Sequence, residues 1–344
     1  MKWFKVGLSL VAFAVVLYLF WPLVHEFRQV AHLFRTADWF WLAAAPGIHF
    51  ASYCLLAALN FLLLRPFEGR IGFWRIVAVL PAIAFIEVAV PSAGASGLVM
   101  RAHLLKRSGY SAEASTFTAG METFYLGLMM AMVAFSGLGY VLRREPLSSV
   151  QTFFLVAVAL LAVILGGLVL WIGQHRTRAM TWAWRLARGW NRLLLALSPR
   201  IHRQPLTQSA IAARVDRFYD GLSHLRQARQ APFLLTAAGR VLLDVATLGV
   251  CFAAFHYKIS PGMLLSGYGL MLLLSGLAAL PGGLGLADAS LAVIYARLGA
   301  PGAVAVAAAL AYRLIAFWLI RFVGFLTWQV IENETRRDNS PALQ

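Results

Sequence analysis

The chain has 344 residues, of which 60% are hydrophobic and 13% are charged, and its mean hydropathy is +0.73. Soluble domains contain about 45–50% apolar and about 25% charged residues, so this composition excludes a soluble globular protein and predicts an all-α polytopic integral membrane protein. The formal net charge of +16 fits cytoplasmic loops beside anionic lipid, and no basic soluble module favours nucleic acid. The two cysteines, Cys54 and Cys251, lie in apolar runs without metal-ligand spacing, so we expect neither a metal site nor a cofactor.

Six apolar segments are long enough to cross a membrane, for which a helix needs about 20 residues. In chain order they are residues 6–21, 39–64, 111–142, 150–171, 233–255 and 302–331. The first follows Lys2 and Lys5 in the manner of a signal peptide, but its apolar run is long and no clear small-x-small cleavage site follows it. We therefore expect this segment to be retained as the first span.

Two further apolar segments are broken by proline and glycine. The break near residues 76–107 reads Val-Pro-Ser-Ala-Gly-Ala-Ser-Gly at residues 90–97, and the break near residues 263–298 reads Leu-Pro-Gly-Gly-Leu-Gly-Leu-Ala-Asp at residues 280–288. Broken backbone is tolerated in a bilayer only where it is buried in protein or lines a wet cavity. Paired interruptions in two halves of a chain are typical of transport sites, so we predict two re-entrant helical hairpins.

Residues 174–232 form a basic loop with eleven arginines and two acids, Asp216 and Asp220. Apolar stripes within residues 182–197 and 211–225 predict two amphipathic helices that lie on the cytoplasmic membrane surface and contact anionic lipid. The alternative is a loop that only sets the topology. With this loop inside, both termini are cytoplasmic, the hairpins face opposite sides, and Arg143-Arg144 lies outside as an exception to the positive-inside rule.

Two similar halves occur within a single predicted transmembrane domain. Residues 91–97 correspond to residues 281–285, and residues 108–111 correspond to residues 298–301. This correspondence predicts an inverted repeat, and the alternative is chance similarity between glycine-rich apolar segments. The predicted parts of the domain at 1–344 are the first half (1–173), the basic loop (174–232), the second half (233–331) and a polar tail (332–344).

Charged residues inside the apolar segments are the candidate site residues, because a charge at the bilayer centre costs about 2.5–3.5 kcal/mol unless it is paired or faces water. Arginine binds two phosphate oxygens through its planar fork, so Arg313 and Arg101 are the first candidates for contact with a lipid phosphate. We expect Glu122 and Asp288 to be their counter-charges. Secondary candidates for substrate binding are Glu87, Arg240 and Asp244.

Five glycines at the two breaks complete the predicted substrate site. They allow close backbone approach and free N–H groups at half-helix starts, where the helix dipole favours an anion. The alternative is that they serve only close helix packing. No catalytic residue is assigned, and the five glycines are Gly94, Gly97, Gly282, Gly283 and Gly285.

Each charged candidate also has a structural interpretation. Arg313 and Glu122 would form an ion pair that joins the two halves, while Arg240 and Asp244 are four residues apart and would pair on one helix face. Arg321 would extend to the inner membrane surface. The remaining structural roles are capping of loose backbone by Glu87 and packing by His49 and His103.

The second-half motif also resembles a known family. Residues 281–285 (Pro-Gly-Gly-Leu-Gly) with Asp288, followed by Tyr312-Arg313 and Phe317-Trp318, resemble the flippase-like transmembrane region of lysylphosphatidylglycerol synthetases. That family includes stand-alone membrane proteins of this length. The resemblance implies movement of a phospholipid or related polar lipid between leaflets, and we expect no lipid synthesis because no aminoacyl-transferase domain is visible.

Three positions depart from the pattern of that family. Gly97-Leu98 stands where the family has Gly-Glu, and Glu122-Thr123 stands where it has Glu-Arg. Asp288 replaces a glutamate. These departures concern the chemistry of substrate contact more than the fold.

The sequence thus predicts a lipid flippase or transporter of the bacterial cytoplasmic membrane, and not an enzyme. The hairpins would open a central charged cavity to each leaflet in turn, and Asp288 or Glu122 would carry any coupling proton. One alternative is an intramembrane enzyme acting on a lipid phosphate, with Ser92, Ser96 and His103 as the only nearby group. The other is a non-transporting scaffold of a lipid or glycolipid pathway, and the sequence sets neither the lipid nor the oligomeric state.

Overall fold

The computed structural model describes residues 29–90, 95–144, 208–278 and 286–338, together with single residues between 167 and 185. Every regular element within these residues is helical. In chain order the main helices are α1 (Trp39–Leu64), α2 (Phe73–Ala89), α3 (Ala95–Lys106), α4 (Ala112–Arg144), α5 (Gln208–Gln227), α6 (Ala231–Ala254), α7 (Pro261–Ala278), α8 (Leu286–Arg297), α9 (Gly302–Arg313) and α10 (Ile320–Asp338). A π-helical turn, Leu314–Leu319, joins α9 to α10.

Four of the six predicted spans are confirmed as helices long and apolar enough to cross a membrane. They are Trp39–Leu64, Ala112–Tyr140, Ala231–Ala254 and Gly302–Asn333. The predicted spans at residues 6–21 and 150–171 lie outside the described residues. The four helices and their composition make this chain an integral, multi-pass membrane protein.

Helices α1 and α6 form the central antiparallel pair of the described fold. The N–H of Asp38, just before α1, donates to the carbonyl of Ala254 at the end of α6 (2.9 Å). Near the middle of the pair, the hydroxyl of Ser52 donates to the carbonyl of Arg240 (3.2 Å). Gly239 faces the side chain of Leu55, so a small residue lets the two helices approach closely.

Two helix pairs occupy the segments that the sequence predicts as hairpins. In the pair α2 and α3, Gly97 lies opposite Glu87, and Leu104 packs in one cluster with Val79 and other α2 residues. In the pair α7 and α8, the hydroxyl of Tyr295 donates to the carbonyl of Leu264 (2.6 Å). Each pair is therefore antiparallel, with the proline-glycine break between its two helices.

Both pairs end in the same kind of turn. After α3, Gly109 has a φ of 83°, and the N–H of Tyr110 donates to the carbonyl of Leu105 (3.2 Å). After α8, Gly299 has a φ of 102°, and the N–H of Ala300 donates to the carbonyl of Tyr295 (3.0 Å). Glycine adopts this left-handed conformation without a Cβ clash, so the sequence correspondence between these segments extends to their backbone geometry.

The two halves exchange packing partners. Helix α2 of the first half packs against α10 of the second half, where Gly324 meets the carbonyl of Pro81. Helix α7 of the second half packs against α4 of the first half, where Gly137 meets the backbone of Ser266 and the hydroxyl of Ser266 donates to the carbonyl of Gly137 (2.8 Å). The first helix of each interrupted pair thus packs against the long helix of the other half.

The amphipathic helix α5 contacts protein with its apolar face. Leu225 is buried, and Phe218 packs on the ring of Phe117 near the start of α4 (ring centroids 5.4 Å apart). Outside this face, Arg217 pairs with Glu113 (3.2 Å). The sequence predicts that this helix lies on the membrane surface, and in the structure Phe117 of α4 and Phe67, which follows α1, pack on its apolar face. Much of the first predicted amphipathic helix, residues 182–197, lies outside the described residues.

Candidate functional site

A first buried ion pair joins three helices of the first half. Nη2 of Arg101 on α3 lies 2.6 Å from Oε2 of Glu122 on α4. Nη1 of the same guanidinium donates to Oδ1 of Asn60 on α1 (2.9 Å), and the amide of Asn60 donates to the carbonyl of Leu56 (2.9 Å). Arg101 is only 8% exposed. These three side chains, called here the Arg101 cluster (Asn60, Arg101, Glu122), fix the second arm of the first helix pair to α1 and α4.

A second buried cluster is built around Asp244 on α6. Its Oδ2 accepts hydrogen bonds from the hydroxyls of Tyr268 on α7 (2.6 Å) and Tyr312 on α9 (3.1 Å). Its Oδ1 lies 3.0 Å from Nδ1 of His49 on α1 and 3.5 Å from Nη1 of Arg240, one turn earlier on α6. The pairing of Arg240 with Asp244 that the four-residue spacing predicts is thereby confirmed. These five residues are called the Asp244 cluster, and they come from four different helices.

The guanidinium of Arg240 extends the Asp244 cluster toward the first half. It donates a hydrogen bond to the hydroxyl of Ser52 and lies 5.3 Å from the ring centre of Tyr53. Arg321 and Glu122 are close enough to Tyr53 to act electrostatically on its hydroxyl. Tyr53 therefore contacts the Asp244 cluster and is under the electrostatic influence of Glu122 from the Arg101 cluster.

A third group consists of two arginines at one aromatic ring. The guanidinium carbons of Arg313 and Arg321 each lie 3.8 Å from the ring centre of Phe317, which is 4% exposed. Phe317 belongs to the π-helical turn, and such turns within α-helices occur frequently at functional sites. The three residues are called the Phe317 stack, which concentrates two positive charges within a membrane-spanning helix.

Arg321 points back along its own helix. Its Nη1 lies 3.4 Å from the carbonyl oxygens of Ala316 and Phe317, which precede it in the chain. Arg313 and Glu87 are within electrostatic range of its guanidinium. The guanidinium therefore lies at the Phe317 stack.

The structure places the predicted site residues as follows. Arg101 is paired with Glu122, so the alternative ion pair between Arg313 and Glu122 is not the arrangement found. Gly97 faces the side chain of Glu87, which is exposed. The backbone of Asp288 lies in the first turn of α8, and its side chain lies outside the described part of the structure. Four predicted glycines also lie outside the described residues: Gly94, Gly282, Gly283 and Gly285.

Several residues of the three groups carry no clear signal in the sequence. Tyr53 and Asn60 lie in the middle of an apolar span, and Tyr268 lies between two glycines in another. Tyr312 precedes Arg313 directly, which is the one hint of its role. His49 is 2% exposed and contacts a carboxylate, although the sequence alone favours a packing role. No group of three or more metal-ligating side chains occurs among the described residues.

Comparison with known proteins finds similarity along most of the chain. A family model described as lysylphosphatidylglycerol synthase TM region matches residues 8–324. Two relatives from Methanothermobacter thermautotrophicus are both named UPF0104 membrane protein. One is 23% identical over 301 residues, which cover 84% of this chain and 82% of the relative, and the other is 24% identical over 309 residues, which cover 86% and 87%. The matched range includes both helix pairs and all three side-chain groups.

Proposed function

We propose, because the chain belongs to the lysylphosphatidylglycerol synthase TM region family, that it moves a phosphate-bearing membrane lipid between the two leaflets. The family indicates a role connected with membrane lipids, and flippase activity is the form of that role which the charged groups favour. The acyl chains would stay in the bilayer while the headgroup passes through the protein. We further propose that the protein acts as a transporter and not as an enzyme.

One observation carries this proposal: the Phe317 stack holds two guanidiniums at a single buried ring. The two positively charged guanidiniums at this ring repel each other, and a bound anion would relieve the repulsion. The guanidinium fork matches two phosphate oxygens, and an aromatic ring stabilises it by cation–π attraction. Because each guanidinium lies over the Phe317 ring, a lipid phosphate that binds the side of a guanidinium facing away from the ring would be held in a low-dielectric site.

The fold supports a mechanism in which the two helix pairs alternate. We propose that both pairs are re-entrant hairpins, related as an inverted repeat and open to opposite sides of the membrane. The matching turns at Gly109 and Gly299 and the exchanged packing of α2 on α10 and of α7 on α4 support this relation. Rocking of one unit against the other would expose the arginines to each leaflet in turn. The basic loop would then be cytoplasmic, with both termini on the same side and anionic lipid beside it.

The alternative enzymatic role finds less support around α3. The hydroxyl of Ser96 donates to the carbonyl of Val90 (2.9 Å), where it satisfies backbone freed by the break. His103 is exposed on α3 and is not paired with a carboxylate among the described contacts. Ser92 lies outside the described residues. A nucleophile with a base to activate it, as acyl or phosphoryl transfer requires, is not assembled by the described part of this segment.

Transport is tested with the full-length protein in liposomes that contain a fluorescent phospholipid. We expect Arg313→Ala to lower the rate at which inner-leaflet probe becomes accessible to external dithionite by at least about tenfold, which corresponds to about 1.4 kcal/mol. Arg297→Ala is the matched control, because Arg297 is exposed at the end of α8 and belongs to none of the three groups. An Arg313→Ala protein that inserts normally and transports at the unaltered rate would contradict the proposed role.

A further inference from the structure

The imidazole of His49 is buried within the Asp244 cluster. It is 2% exposed, and its Nδ1 lies 3.0 Å from Oδ1 of Asp244. The contact is short, but its angles are poor for a hydrogen bond, and Nε2 has no hydrogen-bond partner among the described residues. Two lone pairs at 3.0 Å would repel, so the contact assigns the ring hydrogen to Nδ1 and leaves the lone pair of Nε2 free to accept a proton.

We propose that His49 and Asp244 form a proton-binding site, and that the proton taken up there is transported together with an anionic lipid. This inference rests on the proposed function and adds the coupling ion to it. Histidine is the side chain that ordinarily changes charge between about pH 5 and 8. Ionisable residues buried inside membrane-spanning segments, paired with one another, mark proton pathways in transporters.

One carboxylate oxygen lies beside two basic side chains, and we base the coupling of proton binding to anion binding on this shared contact. Oδ1 of Asp244 lies near both Nδ1 of His49 and Nη1 of Arg240 (3.0 and 3.5 Å). When His49 is neutral, Arg240 is the counter-ion of Asp244. When His49 carries a second proton on Nε2, two positive charges compete for one carboxylate, and the guanidinium of Arg240 becomes available to an anion.

The charged and titratable groups around His49 fit this exchange. Tyr268 and Tyr312 hold the opposite carboxylate oxygen, so Asp244 keeps its position when Arg240 moves. Tyr53 lies next to both His49 and Arg240, with ring centroids of His49 and Tyr53 5.5 Å apart. Arg321 on α10 and Glu122 on α4 act electrostatically on Tyr53, and Arg313 and Glu87 act on Arg321.

Electroneutrality gives the proton its function. A phosphate diester carries one negative charge, and its passage through a low-dielectric site is costly unless a positive charge moves with it. A proton bound at Nε2 of His49 supplies that charge, and Arg240 then contacts the phosphate from the side of Tyr53. Proton and anionic lipid would enter together and leave together, without breaking a covalent bond.

The test uses the full-length protein in liposomes with an imposed pH difference of about one unit. Fluorescent phosphatidylglycerol carries one net negative charge. We expect its transport toward the less acidic side to be up to about tenfold faster than its transport toward the more acidic side. Fluorescent phosphatidylcholine, which has no net charge, should show a ratio near one. His49→Gln should reduce the phosphatidylglycerol ratio to near one, whereas His224→Gln, an exposed histidine on α5, should keep it.

A second measurement needs only the unaltered protein. A pH-sensitive dye trapped inside the liposomes should record proton movement when phosphatidylglycerol is added outside, and no movement when phosphatidylcholine is added. Equal transport of phosphatidylglycerol with and against the gradient, without a dye signal, would overturn the proton site and leave the proposed lipid transport intact. No transport of either lipid in any condition would overturn the proposed function itself. A gradient effect that persists in His49→Gln would assign the proton to a residue other than His49.

Discussion

Arg101 and Glu122 illustrate how individual charges are tolerated in this protein. Their side chains are 10% and 15% exposed, and the ion pair is completed by the amide oxygen of Asn60. Removing two charges from water costs several kcal/mol, which the mutual attraction offsets only when the geometry is good and the remaining hydrogen-bonding groups are satisfied. The pair therefore fixes the position of α3, and each buried charge needs the other as its counter-charge.

At the residue scale, we expect a single change in this pair to be more damaging than a double change. Glu122→Ala leaves the guanidinium of Arg101 buried without its carboxylate and should lower the free energy of unfolding by about 3–5 kcal/mol. Arg101→Met combined with Glu122→Leu removes both charges and should recover most of that loss. Unfolding of the purified proteins in detergent micelles measures the difference. Equal stability of Glu122→Ala and the unaltered protein would show that the ion pair is dispensable.

Among the helices, glycines set the distances between the elements that exchange partners. An added Cβ at Gly137 would lie 2.6 Å from Cα of Ser266, and one at Gly324 would collide with the carbonyl of Pro81. Gly139, two residues after Gly137 on the same helix, has open space around it. Small residues allow this close backbone approach in membrane proteins, where van der Waals packing replaces the hydrophobic effect as the force between helices.

This contrast gives a matched prediction for α4. Gly137→Ala should destabilise the protein because backbone of α7 cannot move away without losing its packing, and Gly324→Ala should do the same at the contact between α2 and α10. Gly139→Ala should be neutral or should stabilise the protein by up to about 1 kcal/mol, the intrinsic helix preference of alanine over glycine. Thermal unfolding in one detergent measures all three, and equal effects of Gly137→Ala and Gly139→Ala would contradict the close contact.

For the whole molecule, the exchanged packing decides which movements are available. The first helix of each interrupted pair, α2 or α7, packs against the long helix of the other half, α10 or α4, whereas the second helix, α3 or α8, packs within its own half. When one pair is displaced, its first helix must therefore either carry the long helix of the other half with it or slide along that helix. The Asp244 cluster is the group that joins the halves, because His49 on α1 meets residues of α6, α7 and α9 there.

The inverted arrangement predicts a difference in membrane sidedness. Arg107 and Arg297 are both exposed next to the glycine turns that follow α3 and α8. If the pairs are oppositely oriented hairpins, a cysteine at position 107 should react with an impermeant maleimide from one side only, and a cysteine at 297 from the other. The experiment uses Cys54→Ala and Cys251→Ala as background, in right-side-out and inverted vesicles. Labelling of both positions from one side would contradict the inverted repeat.

The sequence by itself determined the membrane class, four described spans and the segments in which helices are interrupted. These features depend on local hydropathy and on the backbone preferences of proline and glycine, which are read within windows of about 20 residues. The pairing of Arg240 with Asp244 was accessible for the same reason, because both residues lie one turn apart on one helix. The family resemblance added the expectation of lipid movement.

Only the tertiary structure decided which distant charges meet. Glu122 pairs with Arg101 and not with Arg313, His49 contacts Asp244, and the apolar face of α5 is covered by protein. These outcomes depend on how each helix is rotated and which helix lies beside it, which local patterns do not encode. The sequence marks His49 and Arg321 as unusual in an apolar span, but the carboxylate and the aromatic ring that they contact are set by the packing of several helices.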